Sequence, residues 1–133
     1  MSNLTVTNCD TGSCEIKNGV FEDDLLTFAG AGTIVAGTIL ARDSVSLKLV
    51  PFVKGGVTNE NGIPKAVVTY DVVATGAGDI SIRAALSGEY SFERLVINAD
   101  GDNSNIDKAV LDQLRDFTII GLSEQELSIL DNQ

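Results

Sequence analysis

Residues 29–42, which read AGAGTIVAGTILAR, constrain the fold more than any other segment because they mix glycine with β-branched residues. β-Branched side chains lose rotamer freedom in a helix, and a glycine inside a helix costs about 1 kcal/mol relative to alanine. The segment therefore predicts strands joined at a tight bend, with Gly30, Gly32 and Gly37 at the corners.

Four further segments have the character of strands. LKLVPF reads as a strand in which Pro51 lies at an edge or a bulge, because proline cannot donate a hydrogen bond to a ladder. KAVVTYDVVAT and DISIRAAL alternate apolar with polar residues, which is typical of half-buried strands. Residues 75–78 between them can supply the positive φ angles of a hairpin, so we expect these two strands to pair antiparallel. A short strand is expected at residues 93–97.

Near the end of the chain the apolar period becomes that of a helix. Ile106, Val110, Leu114 and Phe117 recur at helical spacing, and Ser104 followed by Asp107 resembles a capping box. This pattern predicts a helix over residues 105–116 that covers the sheet. TIIG follows as a last strand, and residues 123–130 are expected to form a capped helical turn. The predicted fold is mainly β with one or two short helices.

Charge divides the chain into three parts. The 133 residues, enough for one domain, carry nine Lys and Arg against nineteen Asp and Glu, for a net charge of −10. Residues 29–97 are neutral, with six acids and six bases. Residues 1–28 carry −4 and residues 98–133 carry −6, so the two ends are the solvated or partner-facing parts.

Residues 1–28 predict an extended N-terminal arm, ahead of a single β-rich domain over residues 29–133. Apolar residues in this segment stand among residues that favour turns, so the segment alone cannot bury enough surface to become ordered. It could become ordered by adding a strand to an exposed sheet edge of a partner. The residues predicted to make this contact are Leu4, Val6, Ile16, Val20, Phe21, Leu25 and Leu26.

Composition argues against several classes of function. The chain has no histidine, which removes the commonest general base and the commonest metal ligand. Its negative charge repels phosphate, so no nucleic-acid binding is expected. No run of about 18 apolar residues is present, so no membrane span is expected. Cys9 and Cys14 cannot complete a zinc site within one chain. The two cysteines could be reduced thiols, form a disulfide, or belong to a site shared between subunits.

Two motif-like segments fail at decisive positions. GAGTIVAG has Val35 where the dinucleotide fingerprint needs glycine, and Thr38 where a phosphate-binding loop needs lysine. DGDNSNID resembles a calcium loop, but Asn105 replaces the turn glycine and Leu111 replaces the bidentate glutamate. A carboxylate pair acting without histidine, with Asp100 and Asp102 as the best candidates, is the remaining enzymatic alternative. We predict a binding or structural protein, not an enzyme, with no metal and no cofactor.

The stretch from residue 28 to residue 122 resembles the lambda-type head decoration proteins of tailed bacteriophages. Three segments carry the resemblance: AGAGTIVAGTILARDSVSLKLVPF, GIPKAVVTYDVVATGAGDISIRAALSGEY and LDQLRDFTIIG. One departure is Leu47, where the family pattern leads us to expect a turn glycine before Lys48, so the hairpin could instead turn at residues 43–46. The N-terminal segment with its two cysteines and the acidic tail SEQELSILDNQ also depart from the family.

The resemblance implies a β-clip or β-tulip fold and a homotrimer on the outer surface of the capsid. It implies that the protein cements the expanded head by bridging subunits of the major capsid protein, with the N-terminal arm joining a sheet of that protein. Arg42, Pro51 and Phe52 are then expected to face the shell or other copies of the trimer. The alternative is a receptor- or glycan-binding module of a phage fibre or baseplate, which would need an exposed aromatic patch.

Overall fold

The fold is mainly β, as the sequence predicts. A computed structural model describes residues 16–122. Residues 1–15 and 123–133, with the expected helical turn at 123–130, lie outside this range. In chain order the strands are β1 (Ile16–Phe28), β2 (Gly32–Ile34), β3 (Ile39–Arg42), β4 (Leu49–Pro51), β5 (Pro64–Val68), β6 (Val72–Ala74), β7 (Gly78–Ser91) and β8 (Ile119–Leu122). A 3₁₀ turn (Phe92–Arg94) and one helix, α1 (Lys108–Asp116), lie between β7 and β8.

Five strands pair in a ring. The order β1-β4-β3-β5-β7 closes because β7 also pairs antiparallel with β1 along nearly the whole length of both strands. β4 joins the ring through one parallel pair with β1, at Leu26 and Leu49. Beyond the ring, β8 lies parallel to the end of β7, and β2 and β6 form a separate two-stranded ribbon. The ring is a small barrel.

Apolar side chains fill the inside of this ring. Each of the five strands contributes to an inner core, and the β2–β6 ribbon adds three buried side chains to it. Burial of this kind stabilises the fold by roughly 25 cal/mol per Å² of apolar surface. The inner core consists of Leu26, Phe28, Ile34, Leu40, Leu49, Ala66, Val68, Val72, Ala74, Ile82 and Ala84.

A second, outer core lies beneath α1. Val110 and Leu114, which the helical spacing predicts to face the sheet, are buried in it, so the prediction of a covering helix is confirmed. Its other members are Ile39, Ala41, Phe52, Val67, Ala85, Tyr90, Leu95, Ile97, Ile106 and Ile119. Because β3 and β5 contribute to both cores, these strands are buried on both faces and read as nearly continuous apolar runs.

The tight bend predicted in residues 29–42 is confirmed between β2 and β3. Gly37 lies in this bend with a φ of 91°. Its N–H donates to the carbonyl of Val68 at 2.7 Å, and its carbonyl accepts the N–H of Val96 at 2.9 Å. After the 3₁₀ turn, the predicted strand at 93–97 is reduced to two isolated bridges, a parallel one between Val96 and Thr38 and an antiparallel one between Ile97 and Asp102.

Two expectations about strands need correction. β5 does pair antiparallel with β7, at Val67–Ala85 and Val68–Ala84. The expected strand over 65–75 is nevertheless wrong, because β6 leaves the ring and pairs with β2. The Asp71 carboxylate accepts the N–H of Ala36 at 2.8 Å and so fixes the chain where it departs. The expected hairpin at 75–78 is also wrong, since β6 and β7 are not paired with each other.

The arm boundary predicted at residue 28 is wrong for residues 16–28. These residues form β1, whose backbone pairs with β7 from Ile16–Tyr90 to Phe28–Gly78, with irregularities near Val20. Leu26 is fully buried in the inner core. The physical reason is that the barrel closes only through β1, so this strand belongs to the domain. Leu4 and Val6 of the expected arm lie outside the described residues.

Candidate functional site

The arm residues that lie in β1 are divided between solvent and core. Val20 and Leu25 are exposed, Phe21 is half-buried, and Leu26 is inaccessible. The ring of Phe21 lies 5.8 Å from the guanidinium of Arg83, a cation–π distance. Leu26 cannot contact a partner unless β1 leaves the barrel. The backbone of Ile16 pairs with that of Tyr90.

Arg42, predicted to face a partner, is used inside the domain. Its guanidinium donates to Asp24 Oδ2 at 2.7 Å and to the carbonyl of Leu47 at 2.9 Å, which ties β1 to the turn after β3. Partial burial raises the pKa of the Asp24 carboxyl, but hydrogen bonds from Arg42 and from the N–H of Leu25 outweigh burial, and the pKa is lowered overall. Arg42 is half-buried and retains some exposed surface.

Phe52 and Pro51 have different surroundings although they are neighbours in sequence. Phe52 is fully buried in the outer core, and its N–H donates to the carbonyl of Ile39 at 2.9 Å. The expectation that Phe52 faces a partner is therefore wrong, because its side chain points beneath α1. Pro51 ends β4 and is half-buried at the wall of a surface groove. It pairs with Leu40 of β3, whereas the one pair between β4 and β1 lies at Leu49, two residues earlier.

This groove has a volume of about 380 Å³ and follows the connection between β1 and β2. Its lining includes the segment 29–32, the AGAG run, together with Val50, Pro51 and Asn98. A Cβ built on Gly30 or Gly32 meets no atom within 4 Å, so nothing crowds the backbone there. None of the lining residues carries a charge, although the chain is strongly acidic.

Two neighbouring loops form a second candidate surface, which we term the loop surface and define by Val45, Leu47, Val53 and Val57. Its members are apolar and exposed, with Val45 at 75% and Val57 at 92%. The first loop, residues 43–48, closes with the N–H of Asp43 donating to the carbonyl of Lys48 at 2.9 Å. The second loop, residues 53–63, follows β4. The loop surface is the largest group of exposed apolar side chains close in sequence within residues 16–122.

Asp43 organises the first of these loops. Its carboxylate accepts the N–H groups of Val45 and Ser46 at 2.8 and 2.9 Å, and it also accepts Asn59 Nδ2 at 3.3 Å. Hydrogen bonds from Ser46 and then Val45 lower the pKa of the Asp43 carboxyl. At the far end of the turn Leu47 has a φ of 65°, a left-handed backbone that leucine rarely adopts. The turn thus spans residues 43–48, with its left-handed position at Leu47.

The loop surface is the feature that the sequence prediction missed. Residues 53–63 are turn-rich, and the run from Asp43 to Ser46 is a turn candidate, so both segments predict solvated loops. The available signal was the presence of valine and leucine inside such turns. Turn positions are normally occupied by glycine, asparagine or a residue with a short polar side chain. A large apolar residue at such a position is therefore not explained by the turn itself.

In the acidic loop that resembles a calcium site, carboxylates accept hydrogen bonds from nearby backbone N–H groups. Asp102 Oδ1 accepts the N–H of Ser104 at 2.9 Å, and Asp107 Oδ1 accepts the N–H of Val110 at 3.0 Å as the N-cap of α1. A second oxygen of Asp107 lies 2.8 Å from Lys54 Nζ. Among residues 16–122 no three His, Cys, Asp or Glu side chains form a group that could hold a metal ion. Within the same range no helix is long and apolar enough to cross a membrane.

A glycan-binding module is expected to have a patch of exposed aromatic side chains. Among the side chains that the structure describes, one aromatic side chain is exposed. Tyr70 is 38% exposed, and its hydroxyl accepts the backbone N–H of Arg83 at 2.9 Å. Comparison with protein-family models, with curated proteins and with solved structures gives no match.

Proposed function

We propose that this protein is a head decoration, or cement, protein of a tailed bacteriophage, which binds the outer surface of the expanded shell as a trimer and bridges subunits of the major capsid protein. The observation that carries the proposal is the resemblance of residues 28–122 to that family, and the mainly β structure with one short helix agrees with it. Leu47 departs from the expected turn glycine but has a φ of 65°, which glycine adopts freely. The finer assignment to a β-clip or β-tulip fold belongs to the same proposal.

Properties of the described surface support this role. A protein that clamps two neighbouring subunits needs a rigid body and uncharged contact areas, because a buried unpaired charge weakens an interface. The closed barrel with its two cores supplies the rigid body. The groove beside Pro51 supplies an uncharged area, and the loop surface supplies exposed apolar side chains. A net charge of −10 also suits a position outside the shell, away from packaged DNA.

The binding arm of this proposal is limited to residues 1–15, because β1 occupies residues 16–28. Leu4 and Val6 are then the apolar arm residues that would contact the major capsid protein. A short added strand gains about 1 kcal/mol net per hydrogen bond, which barely offsets an association cost of roughly 4–15 kcal/mol. Three arms on one trimer make the later contacts intramolecular and raise the affinity by about 10²–10⁴-fold. The trimer is therefore part of the proposed mechanism.

Binding to expanded shells tests the proposal. The full chain and a variant that lacks residues 1–15 are mixed with expanded empty shells of the phage that encodes the chain, and bound protein is measured by co-sedimentation. We expect the full chain to sediment with the shells. We expect the shortened variant to remain folded, because every described strand is retained, and to bind at least about tenfold more weakly.

Two outcomes would contradict different parts of the proposal. If the full chain does not bind expanded shells at saturating concentration, the decoration role is wrong. If the shortened variant binds as tightly as the full chain, the decoration role stands and the arm mechanism is wrong. Circular dichroism and thermal unfolding of the shortened variant show whether weaker binding reflects the missing arm or a misfolded domain.

A further inference from the structure

The junction between β1 and β4, at Leu26 and Leu49, has the least backbone pairing of the barrel, and we term it the β1–β4 seam. Among residues 16–122, these two strands share one parallel pair. Every other junction of the ring has two or more pairs, and β1 pairs with β7 along nearly its whole length. Backbone hydrogen bonds therefore contribute least to closing the ring at this seam.

Pro51 explains why the pairing between β1 and β4 stops. Neighbouring residues of a strand direct their backbone groups to opposite edges. The N–H of Phe52 donates to the carbonyl of Ile39, and the carbonyl of Lys48 accepts the N–H of Asp43, so residues 48 and 52 face β3. By this alternation the nitrogen of Pro51 faces β1. Because proline has no N–H to donate, the ladder with β1 cannot continue there.

Beyond the Leu26–Leu49 pair the two strands separate. The groove of about 380 Å³ is lined by Thr27 and Phe28 at the end of β1 and by residues 50–51 at the end of β4. These are the residues that would pair next in a longer ladder. The groove therefore occupies the place of the missing backbone pairs.

Two ion pairs also cross the seam. The guanidinium of Arg42 in β3 lies 2.7 Å from Asp24 Oδ2 in β1. Lys48 Nζ, just before β4, lies 2.5 Å from Asp79 Oδ2 in β7, and the other oxygen of Asp79 accepts the hydroxyl of Thr27 at 2.9 Å. Ion pairs between partly exposed side chains are weak and are screened by salt.

We propose that the barrel opens at the β1–β4 seam while its other junctions stay paired, and that the ion pairs Arg42–Asp24 and Lys48–Asp79 hold the seam closed. Opening separates the β3–β4 pair from the β1–β7 pair and exposes the two leucines of the seam, which are fully buried in the closed barrel. Such local opening requires less free energy than complete unfolding, because one junction is lost. The inference concerns the domain alone and does not depend on the proposed function.

Thiol labelling of single cysteines in the full chain tests the inference. Cys9→Ser and Cys14→Ser remove the native thiols, and Leu49→Cys places a thiol at the seam. Ala66→Cys is the matched control, because Ala66 is also fully buried in the inner core but lies on β5. The reagent is iodoacetamide, which is uncharged. We expect Leu49→Cys to be labelled at least about tenfold faster than the global stability of the same variant, measured by urea denaturation, allows, and Ala66→Cys no faster.

The role of the ion pairs is tested by adding Arg42→Gln to each single-cysteine protein. This substitution should raise the labelling rate of Leu49→Cys, relative to its global limit, by about two- to fivefold and leave Ala66→Cys at its limit. A high concentration of sodium chloride should act in the same direction, because it screens both ion pairs. If Leu49→Cys does not fold, Leu26→Cys places the thiol on the other strand of the same seam.

The inference is overturned if the seam cysteine is labelled only at the rate that global unfolding allows. It is also overturned if Ala66→Cys exceeds its own limit by the same factor, because the opening would then not be local to the seam. Labelling of the seam cysteine that neither Arg42→Gln nor salt accelerates would overturn the assignment of the ion pairs.

Discussion

Gly37 is the residue on which the bend between β2 and β3 depends. Its φ of 91° is a conformation that residues with a side chain rarely adopt, and a Cβ built on it would overlap the carbonyl oxygen of Arg94. The neighbouring backbone cannot move aside easily, because the N–H of Val96 donates to the carbonyl of Gly37 and the N–H of Ile39 to that of Val96. A side chain at this position is thus excluded by both conformation and space.

We expect Gly37→Ala to lower the free energy of unfolding by about 3 kcal/mol or more, because it combines backbone strain with a steric overlap. Urea denaturation followed by circular dichroism measures this loss. Gly30→Ala is the control: a Cβ at Gly30 meets no atom within 4 Å, and a change of about 0.5 kcal/mol or less is expected. Equal stability of the two variants would show that the bend does not require glycine.

At the scale of elements, β1 is the strand that closes the barrel. It pairs with β7 along its length and contributes Leu26 and Phe28 to the inner core. The side chains of Val20 and Leu25 remain exposed. The same strand therefore has some side chains in the core and others in solvent.

Substitutions in β1 distinguish an integral strand from a separate arm. Leu26→Ala should lower the free energy of unfolding by about 2–5 kcal/mol, because it leaves a cavity in the inner core. Val20→Ala, in the same strand but 57% exposed, should change it by roughly 0.5 kcal/mol or less. Chemical denaturation of both variants is the measurement. A Leu26→Ala protein as stable as the wild type would mean that β1 is not part of the domain core.

The start of α1 depends on Asp107. Its carboxylate accepts the N–H of Val110 as the N-cap, and it also pairs with Lys54 of the second loop. Asparagine can cap the helix but carries no charge to pair with Lys54, whereas alanine can neither cap the helix nor form the ion pair. We expect thermal midpoints in the order wild type, Asp107→Asn, Asp107→Ala, with differences of a few degrees, measured by calorimetry at pH 7. Identical midpoints for the asparagine and alanine variants would show that capping contributes nothing.

The elements that local patterns specify were predictable from the sequence, and the long-range pairings were not. The helical period placed α1 to within three residues of its observed start, although Asp107 and not Ser104 is the cap. The β-branched run with Gly37 predicted the β2–β3 bend. The role of β1 could not be predicted, because its partner β7 lies far along the chain. The loop surface was missed because exposure of Val57 and the φ of Leu47 depend on how the two loops pack.

For the whole molecule, carboxylates with lowered pKa values link stability to pH. Hydrogen bonds from Lys48 and then Thr27 lower the pKa of Asp79, and a hydrogen bond from Lys54 and then one from the N–H of Val110 lower that of Asp107. Asp24, Asp43 and Asp102 are shifted in the same direction. Each group binds its proton more weakly in the folded chain than in the unfolded chain. Its contribution to stability is therefore present above its ordinary pKa of 3.8 and lost as the pH falls through the lowered value.

We expect the thermal midpoint to be nearly constant between pH 7 and about pH 5 and to fall steadily below about pH 4. Thermal unfolding monitored by circular dichroism at fixed ionic strength measures this profile. Asp79→Asn, which removes one of the shifted groups, should have a lower midpoint at pH 7 and a shallower decline in acid. A midpoint that rises on acidification would mean that relief of charge repulsion in this −10 chain outweighs the lost hydrogen bonds.

The closure of the barrel by β1 and β7 also determines when the domain can fold. Nearly all backbone pairs of β1 are with β7, from Ile16–Tyr90 to Phe28–Gly78, so they can form only after most of the domain has been synthesised. Contacts between residues so distant in sequence slow folding. An apolar strand is prone to aggregate for as long as it is unpaired. The three consecutive acids Glu22, Asp23 and Asp24 lie in this strand, and like charges at one position disfavour pairing between the β1 strands of two unfolded chains.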